Sequence, residues 1–220
     1  MDVTTILTFA ENAIWLGIAL CAIFGMFFII LLWRRVSQKR FPSLIAERTF
    51  VDAIAERLDR GDFEAVTKVC DTPEVWAKAI PQLTMVAVEN RSLPMKKIRQ
   101  LVGQRFERDI LSSFEHTGSW VGTMVKIAPM LGLLGTVVGM INAFGKIAAA
   151  ATSGINPAAL AGDISFALWT TAAGLLIAVP LVTLGSAVSV RIAKLQDAVS
   201  ESLGQILDDI EAAKMRTDRR

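Results

Sequence analysis

Ile14 to Trp33 reads IWLGIALCAIFGMFFIILLW, twenty consecutive residues without a charge. At about 1.5 Å of rise per residue, a helix of that length spans about 30 Å, the thickness of a bilayer's hydrocarbon core. Lipid offers no hydrogen-bond partners, so such a run must satisfy its own backbone, and a helix does this. The segment is expected to be retained and not removed as a leader. No Lys or Arg precedes it, it is longer than a signal-peptide core, and Arg34-Arg35 follows as a stop-transfer flank. Cys21 is not read as a lipoprotein cysteine, because bulky Leu20 stands where a small residue is needed.

Charge placement extends the reading to the whole chain. Of its 44 Asp, Glu, Lys and Arg residues, 27 fall between Arg34 and Glu115 and 12 between Arg191 and Arg220, leaving Asp2, Glu11, Lys126, Lys146 and Asp163. Two more spans fit the gaps. Three spans put the termini on opposite sides, and Arg34, Arg35, Lys39, Arg40, Arg191 and Lys194 follow spans one and three, so the N-terminus faces out. The expected layout is 1–13 periplasmic, 14–33 span one, 34–118 a cytoplasmic helical domain and 119–144 span two. A periplasmic connector over 145–163, read as a short exposed turn, then leads to span three over 164–190 and a cytoplasmic C-terminal helix over 191–220. The fold class is an all-α membrane protein with three transmembrane helices and extended cytoplasmic helices.

Within 34–118, Phe50, Ile54 and Leu58 recur at steps of four, as do Val102, Phe106, Ile110 and Phe114. About four amphipathic helices are expected, with a break and restart at Gly61-Asp62, and the last running from Met95 into span two. Pro73, Pro81 and Pro94 suit helix entries or turns. After span three, Ile192, Leu195, Val199, Leu203, Ile206 and Ile210 form a coiled-coil-like seam. That seam serves equally for packing on the 34–118 helices or for self-association, and both can hold.

Several function classes are excluded. A net charge of +2 leaves no basic excess for nucleic acid. Cys21 and Cys70 stand far apart and His116 is the sole histidine, so neither a disulfide framework, a metal site nor a cofactor site is expected. Gly139 to Ile147 is a near miss for a phosphate-binding loop, with one residue too many between the glycines and Ile147 where a hydroxyl should hold magnesium. An enzyme is therefore not expected.

Span one is lined all round with Leu, Ile, Phe and Trp, as expected of a helix facing lipid. Spans two and three differ. Ala128, Gly132 and Thr136 form a ladder of small residues at steps of four, with Gly135 and Gly139 beside it as GxxxG. Ala167, Thr171, Gly174 and Ala178 share a stripe on span three, with Ser165, Thr170, Thr183, Ser186 and Ser189 nearby. Small residues let helix backbones approach closely where the hydrophobic effect offers no attraction. Hydroxyls can instead turn back on their own helix. Pro129 and Pro180, which free backbone carbonyls inside the membrane, argue for a polar lumen or a close helix partner.

The stretches APMLGLLGTVVGM, from Ala128 to Met140, and DISFALWTTAAGLLIAVP, from Asp163 to Pro180, resemble the paired signature of the MotA/TolQ/ExbB ion-channel family, in its ExbB/TolQ branch. The Gly61-Asp62-Phe63-Glu64-Ala65 segment also looks like the ExbB-type cytoplasmic loop. The resemblance implies a pentamer in the bacterial inner membrane, surrounded by lipid and enclosing two copies of a one-span ExbD/TolR-like partner whose intramembrane Asp carries the ion. Such a stator complex, with a TonB-like protein, would convert proton or sodium motive force into mechanical work on a periplasmic or outer-membrane target, most directly Ton-type import. A Tol-type envelope role or a surface-motility motor are the alternatives within the family, and a non-conducting membrane scaffold is the alternative outside it. Carried over by position, Thr136 and Thr171 match the family's pore-facing threonines, and Thr170 beside them is expected in the same ion pathway. Ala128, Pro129, Gly132, Gly135, Gly139, Gly174 and Pro180 would then pack the helices and shape the pore. One departure is that Phe166 stands where the family carries an intramembrane Glu. The partner's carboxylate would then be the sole obligatory ion carrier, and each charge crossing about 100 mV would deliver roughly 2.3 kcal/mol.

Overall fold

A computed structural model of the chain describes residues 3–149 and 156–217. Its helices are α1 (Val3–Lys39), α2 (Leu44–Asp59), α3 (Phe63–Cys70), α4 (Ala79–Glu89), α5 (Met95–Arg105), α6 (Ser112–Ala149) and α7 (Pro157–Thr217), with no strand among the described residues. Three helices are long and apolar enough to cross a membrane, as expected of a multi-pass membrane protein. The segment read as an exposed turn between spans two and three is in large part helical. Residues 145–149 continue α6 and 157–163 open α7, while 150–155, like the chain ends 1–2 and 218–220, lie outside the described residues. Asn156 starts α7 by accepting the amide N–H of Ala158 at 3.0 Å, ahead of Pro157, whose missing N–H costs nothing at a helix's first position.

One compact unit comprises the described residues of Met1–Ile30 together with Thr117–Ala187. Here α1 is not uniformly lipid-facing, which corrects the sequence expectation. Ile14, Ile18 and Cys21 are buried in small clusters with Val138, Ala128 and Ala178, while Phe9, Leu16, Ile23 and Phe27 on its other faces are exposed. The contact is close because Gly17 and Gly25 face Leu131 and Leu181, where a Cβ would lie 2.9 and 2.6 Å from the leucine methyls.

The second unit comprises Leu31–His116 and the described residues of Val188–Arg220. Gly61 takes φ +73°, a left-handed turn that ends α2, and Asp62 caps α3 by accepting the Ala65 N–H at 2.9 Å. Cys70, Ile80, Leu83, Ile98 and Val102 are buried with Ile54 and Leu58 of α2. The C-terminal seam is used within the chain: Leu195, Val199, Leu203, Ile206 and Ile210 are buried, and Ile192 is half-buried. Polar contacts add to it, with Arg99 donating to Asp208 and Glu211 at 2.5 and 3.1 Å and Arg216 to Asp59 at 2.9 Å.

From Met95 to Ala149 the backbone is helical without a gap, but Phe106–Leu111 is a π-helical turn. The cause lies in the apolar spacing. Ile98, Val102, Phe106, Ile110 and Phe114 are all buried and recur at steps of four, each of which overshoots an α-helical turn by about 40°. One wide turn absorbs part of that drift and keeps the stripe on the core.

Candidate functional site

The small-residue faces of α6 and α7 meet. A Cβ on Gly132 would lie 2.9 Å from the Thr170 carbonyl and 3.0 Å from the Thr171 Cα, and one on Gly174 would lie 2.7 Å from the Ala128 carbonyl. A Cβ on Gly135 would collide with the Thr170 side chain, and one on Gly139 would lie 2.8 Å from both the Ala167 Cβ and the Asp163 carbonyl oxygen. Ala128, Ala167 and Ala178 are buried in the same unit. Dispersion contact between backbones at this range is what holds helices together in lipid.

The three threonines differ in what their hydroxyls do. Thr170 is 0% exposed, and its Oγ1 donates within α7 toward the Phe166 and Ala167 carbonyls at 3.1 and 3.0 Å. Thr136 is half-buried and donates to the Leu133 carbonyl of its own helix at 2.6 Å. Thr171, also half-buried, crosses the contact and donates to the Gly132 carbonyl of α6 at 3.0 Å. Of the three, then, Thr171 links the helices directly, Thr170 fills the contact opposite Gly135, and Thr136 is satisfied locally.

Pro129 is half-buried and Pro180 exposed, and both helices continue through their prolines. Each removes one backbone donor and leaves the carbonyl four residues earlier short of its helical partner. Beyond Pro180, Thr183 donates to the Val179 and Pro180 carbonyls at 3.1 and 3.0 Å. Phe166 is half-buried. Gly139 to Ile147, the near miss for a phosphate loop, lies wholly inside α6, so its amides are spent on the helix and cradle nothing.

Two features escaped the sequence reading. Gly17, Cys21 and Gly25 on α1 form a ladder at steps of four, visible in the sequence but masked by the bulk of the residues between. The other is a set of polar contacts at the ends of the helices: Asn142 Nδ2 donates to Glu11 at 2.6 Å, and Lys146 Nζ to Asp163 at 2.8 Å. Lone charges at the edges of apolar runs gave no spacing signal to pair them.

Residues 76–201 match the family model described as the MotA/TolQ/ExbB proton channel family. The chain is 28% identical over 179 residues to a putative biopolymer transport protein ExbB homolog of Methanothermobacter thermautotrophicus, covering 79% of this chain and 59% of that protein. It is 28% identical over 183 residues to the biopolymer transport protein ExbB of Pseudomonas putida, covering 81% and 55%. A 56-residue stretch is 59% identical to biopolymer transport protein exbB1 of Vibrio cholerae, covering 26% and 24%. The chain thus spans little more than half the length of the Methanothermobacter and Pseudomonas relatives. With three apolar helices, two of them joined by small-residue faces, and a family match over more than half its length, the chain belongs to the MotA/TolQ/ExbB proton channel family.

Proposed function

We propose that this chain is the channel subunit of an inner-membrane complex that couples a proton or sodium gradient to work on a periplasmic target, in Ton-type energised import. The observation that carries the proposal is the chemistry of α6 and α7. Between Glu115 and Arg191 the charged residues are Lys126, Lys146 and Asp163, and Phe166 occupies the family's Glu position. These three charges stand toward the ends of the spans, and at mid-membrane only hydroxyls remain, which can solvate a cation but cannot hold one by charge, so the carrier there must come from another chain. A one-span ExbD/TolR-like partner with an intramembrane Asp supplies that charge, in a homo-pentamer whose packed glycine faces prevent leakage. Thr171 and Thr136 line the pathway and Thr170 holds the helix contact. The N-terminus faces the periplasm and the second unit the cytoplasm, following the Lys and Arg bias.

The test is to purify the chain with its native partner, count subunits by native mass, and measure uptake of protons and of sodium into vesicles under an imposed potential. Stoichiometric partner and gradient-driven uptake of one ion are expected. A complex with no second chain that passes neither ion would refute the proposal. For orientation, an impermeant thiol reagent added outside spheroplasts should label Ala158→Cys and spare Glu64→Cys, and the reverse would invert the topology.

A further inference from the structure

Lys146 and Asp163 are two of the three charges in the 75 residues between Glu115 and Arg191, and they pair with each other. An ionisable group within the membrane is expensive and marks an ion path by default, and a charged pair at the end of two spans stands where such a path would open. The pair lies where α6 ends and α7 begins, on the line that Gly135–Thr170 and Gly139–Ala167 draw along the helix contact.

The two members are placed differently. The Asp163 side chain is 13% exposed, with Oδ2 sealed from solvent, while the Lys146 side chain is 52% exposed. The ammonium donates to Oδ1 at 2.8 Å and lies 2.7 Å from Oδ2, which accepts no hydrogen bond. A fixed, nearly covered anion is therefore held by a cation on a flexible stem that has room to swing into water. From α1, the charged group at this end is Glu11, occupied with Asn142 at 2.6 Å, so among the described contacts it does not compete for Lys146.

We propose that Lys146 and Asp163 form a cation gate at this end of the spans, in which Asp163 receives the driving cation and Lys146 is a tethered ammonium that occupies the carboxylate until that cation displaces it. The inference rests on the channel reading above and adds an entry site to it. No net charge is stranded in the exchange: the arriving cation takes the place of the ammonium, whose own charge moves into water.

A gate and a structural clasp predict different signs. In the complex of full-length chain and native partner, reconstituted in vesicles and driven by an imposed potential, Lys146→Gln should raise proton or sodium uptake. An increase of about fivefold is expected, the ratio that a half-exposed ion pair worth about 1 kcal/mol imposes on a competing cation. Asp163→Asn should reduce uptake toward that of empty vesicles, and Asp163→Glu should restore much of it. The charge-swapped double variant, Lys146→Asp with Asp163→Lys, should keep the native mass and remain blocked, because a covered lysine cannot receive a cation. Should Asp163→Asn fail to assemble, the sign for Lys146→Gln still decides, since a clasp predicts loss. If both single variants lose uptake and the swap restores it, the pair is a clasp and the gate is overturned while the channel stands. If the wild-type complex passes neither ion, the channel reading falls and the gate with it.

Discussion

The Thr171 hydroxyl donates to the Gly132 carbonyl at 3.0 Å, a side-chain hydrogen bond that crosses the contact where the α6 and α7 backbones meet. Interhelical bonds of this kind average about 0.6 kcal/mol in lipid. Thr171→Val should therefore lower the melting temperature of the detergent-solubilised complex only slightly, leave its native mass unchanged, and cut ion-driven uptake far more than stability. Thr171→Ser should retain most of both. Thr136 donates within its own helix at 2.6 Å, so Thr136→Val should leave stability unaltered while reducing uptake. Full uptake in the double Val variant, with partner bound, would remove both residues from the pathway.

Two glycines on α7 should respond to alanine with opposite signs. At Gly174 a Cβ would meet the Ala128 carbonyl oxygen at 2.7 Å, and backbone cannot swing aside as a side chain can. Gly174→Ala should cost about 1–3 kcal/mol, the usual range for overpacking, and weaken the assembly seen by native mass. At Gly204 nothing lies within 4 Å of the added carbon. Gly204→Ala should instead gain up to about 1 kcal/mol through helix propensity. Thermal unfolding of the two variants side by side decides, and equal shifts of the same sign would refute the argument.

What could be read from the sequence divides along physical lines. Period and charge are local properties, so three apolar spans, the Gly61-Asp62 break and the seam from Leu195 to Ile210 are legible in the sequence alone. The GxxxG at Gly135 and Gly139 announced a close helix contact, because few other roles reward glycine at that spacing in lipid. Hydroxyl direction was not visible. Thr170 and Thr171 are neighbours, yet one turns back on α7 and the other reaches α6, a difference set by their angle to a second helix. The π-helical turn at Phe106–Leu111 was encoded as repeated steps of four, which by themselves read as an ordinary helix. The Lys146–Asp163 pair was hidden because the segment holding both read as a turn, when each residue stands on a helix end.

Asp209, on the part of α7 in the second unit, should give that unit a defined pH response. Partial burial, with Asp59 and Asp208 adding repulsion against a smaller opposing effect of Arg216, raises its carboxyl above the ordinary range. A carboxyl raised in the folded state binds its proton more tightly there than in the unfolded chain. Its contribution to stability is therefore present below the ordinary carboxylate value of about 4 and is lost as pH rises through the higher folded value. Asp209→Asn should raise thermal stability at neutral pH and change little near pH 3. Asp208→Asn should act the other way at neutral pH, because Asp208 accepts from Arg99. If Asp209→Asn destabilised the protein at neutral pH, the carboxylate would be making a favourable contact that its surroundings do not indicate.

The two native cysteines stand one in each unit, which makes them internal reporters of opening. Cys70 closes α3, is 1% exposed, and burial pushes its thiol up to about 12. The nucleophile is the thiolate, so at pH 8 only a fraction on the order of 1 in 10,000 would be reactive even if reagent could reach it. Maleimide should therefore leave Cys70 unlabelled in the folded complex. Cys21 is buried against Ala128 and Ala178 in the apolar unit and should be equally silent. In rising urea the two should separate. The helices around Cys70 bury their apolar faces away from water and lose that driving force as urea solvates them. Helices packed in a detergent micelle keep apolar surroundings when they part. Cys70 is thus expected to label at a lower urea concentration than Cys21, with the site read by mass spectrometry of peptides. Simultaneous labelling of both would show that the two units open as one cooperative body, contrary to this expectation.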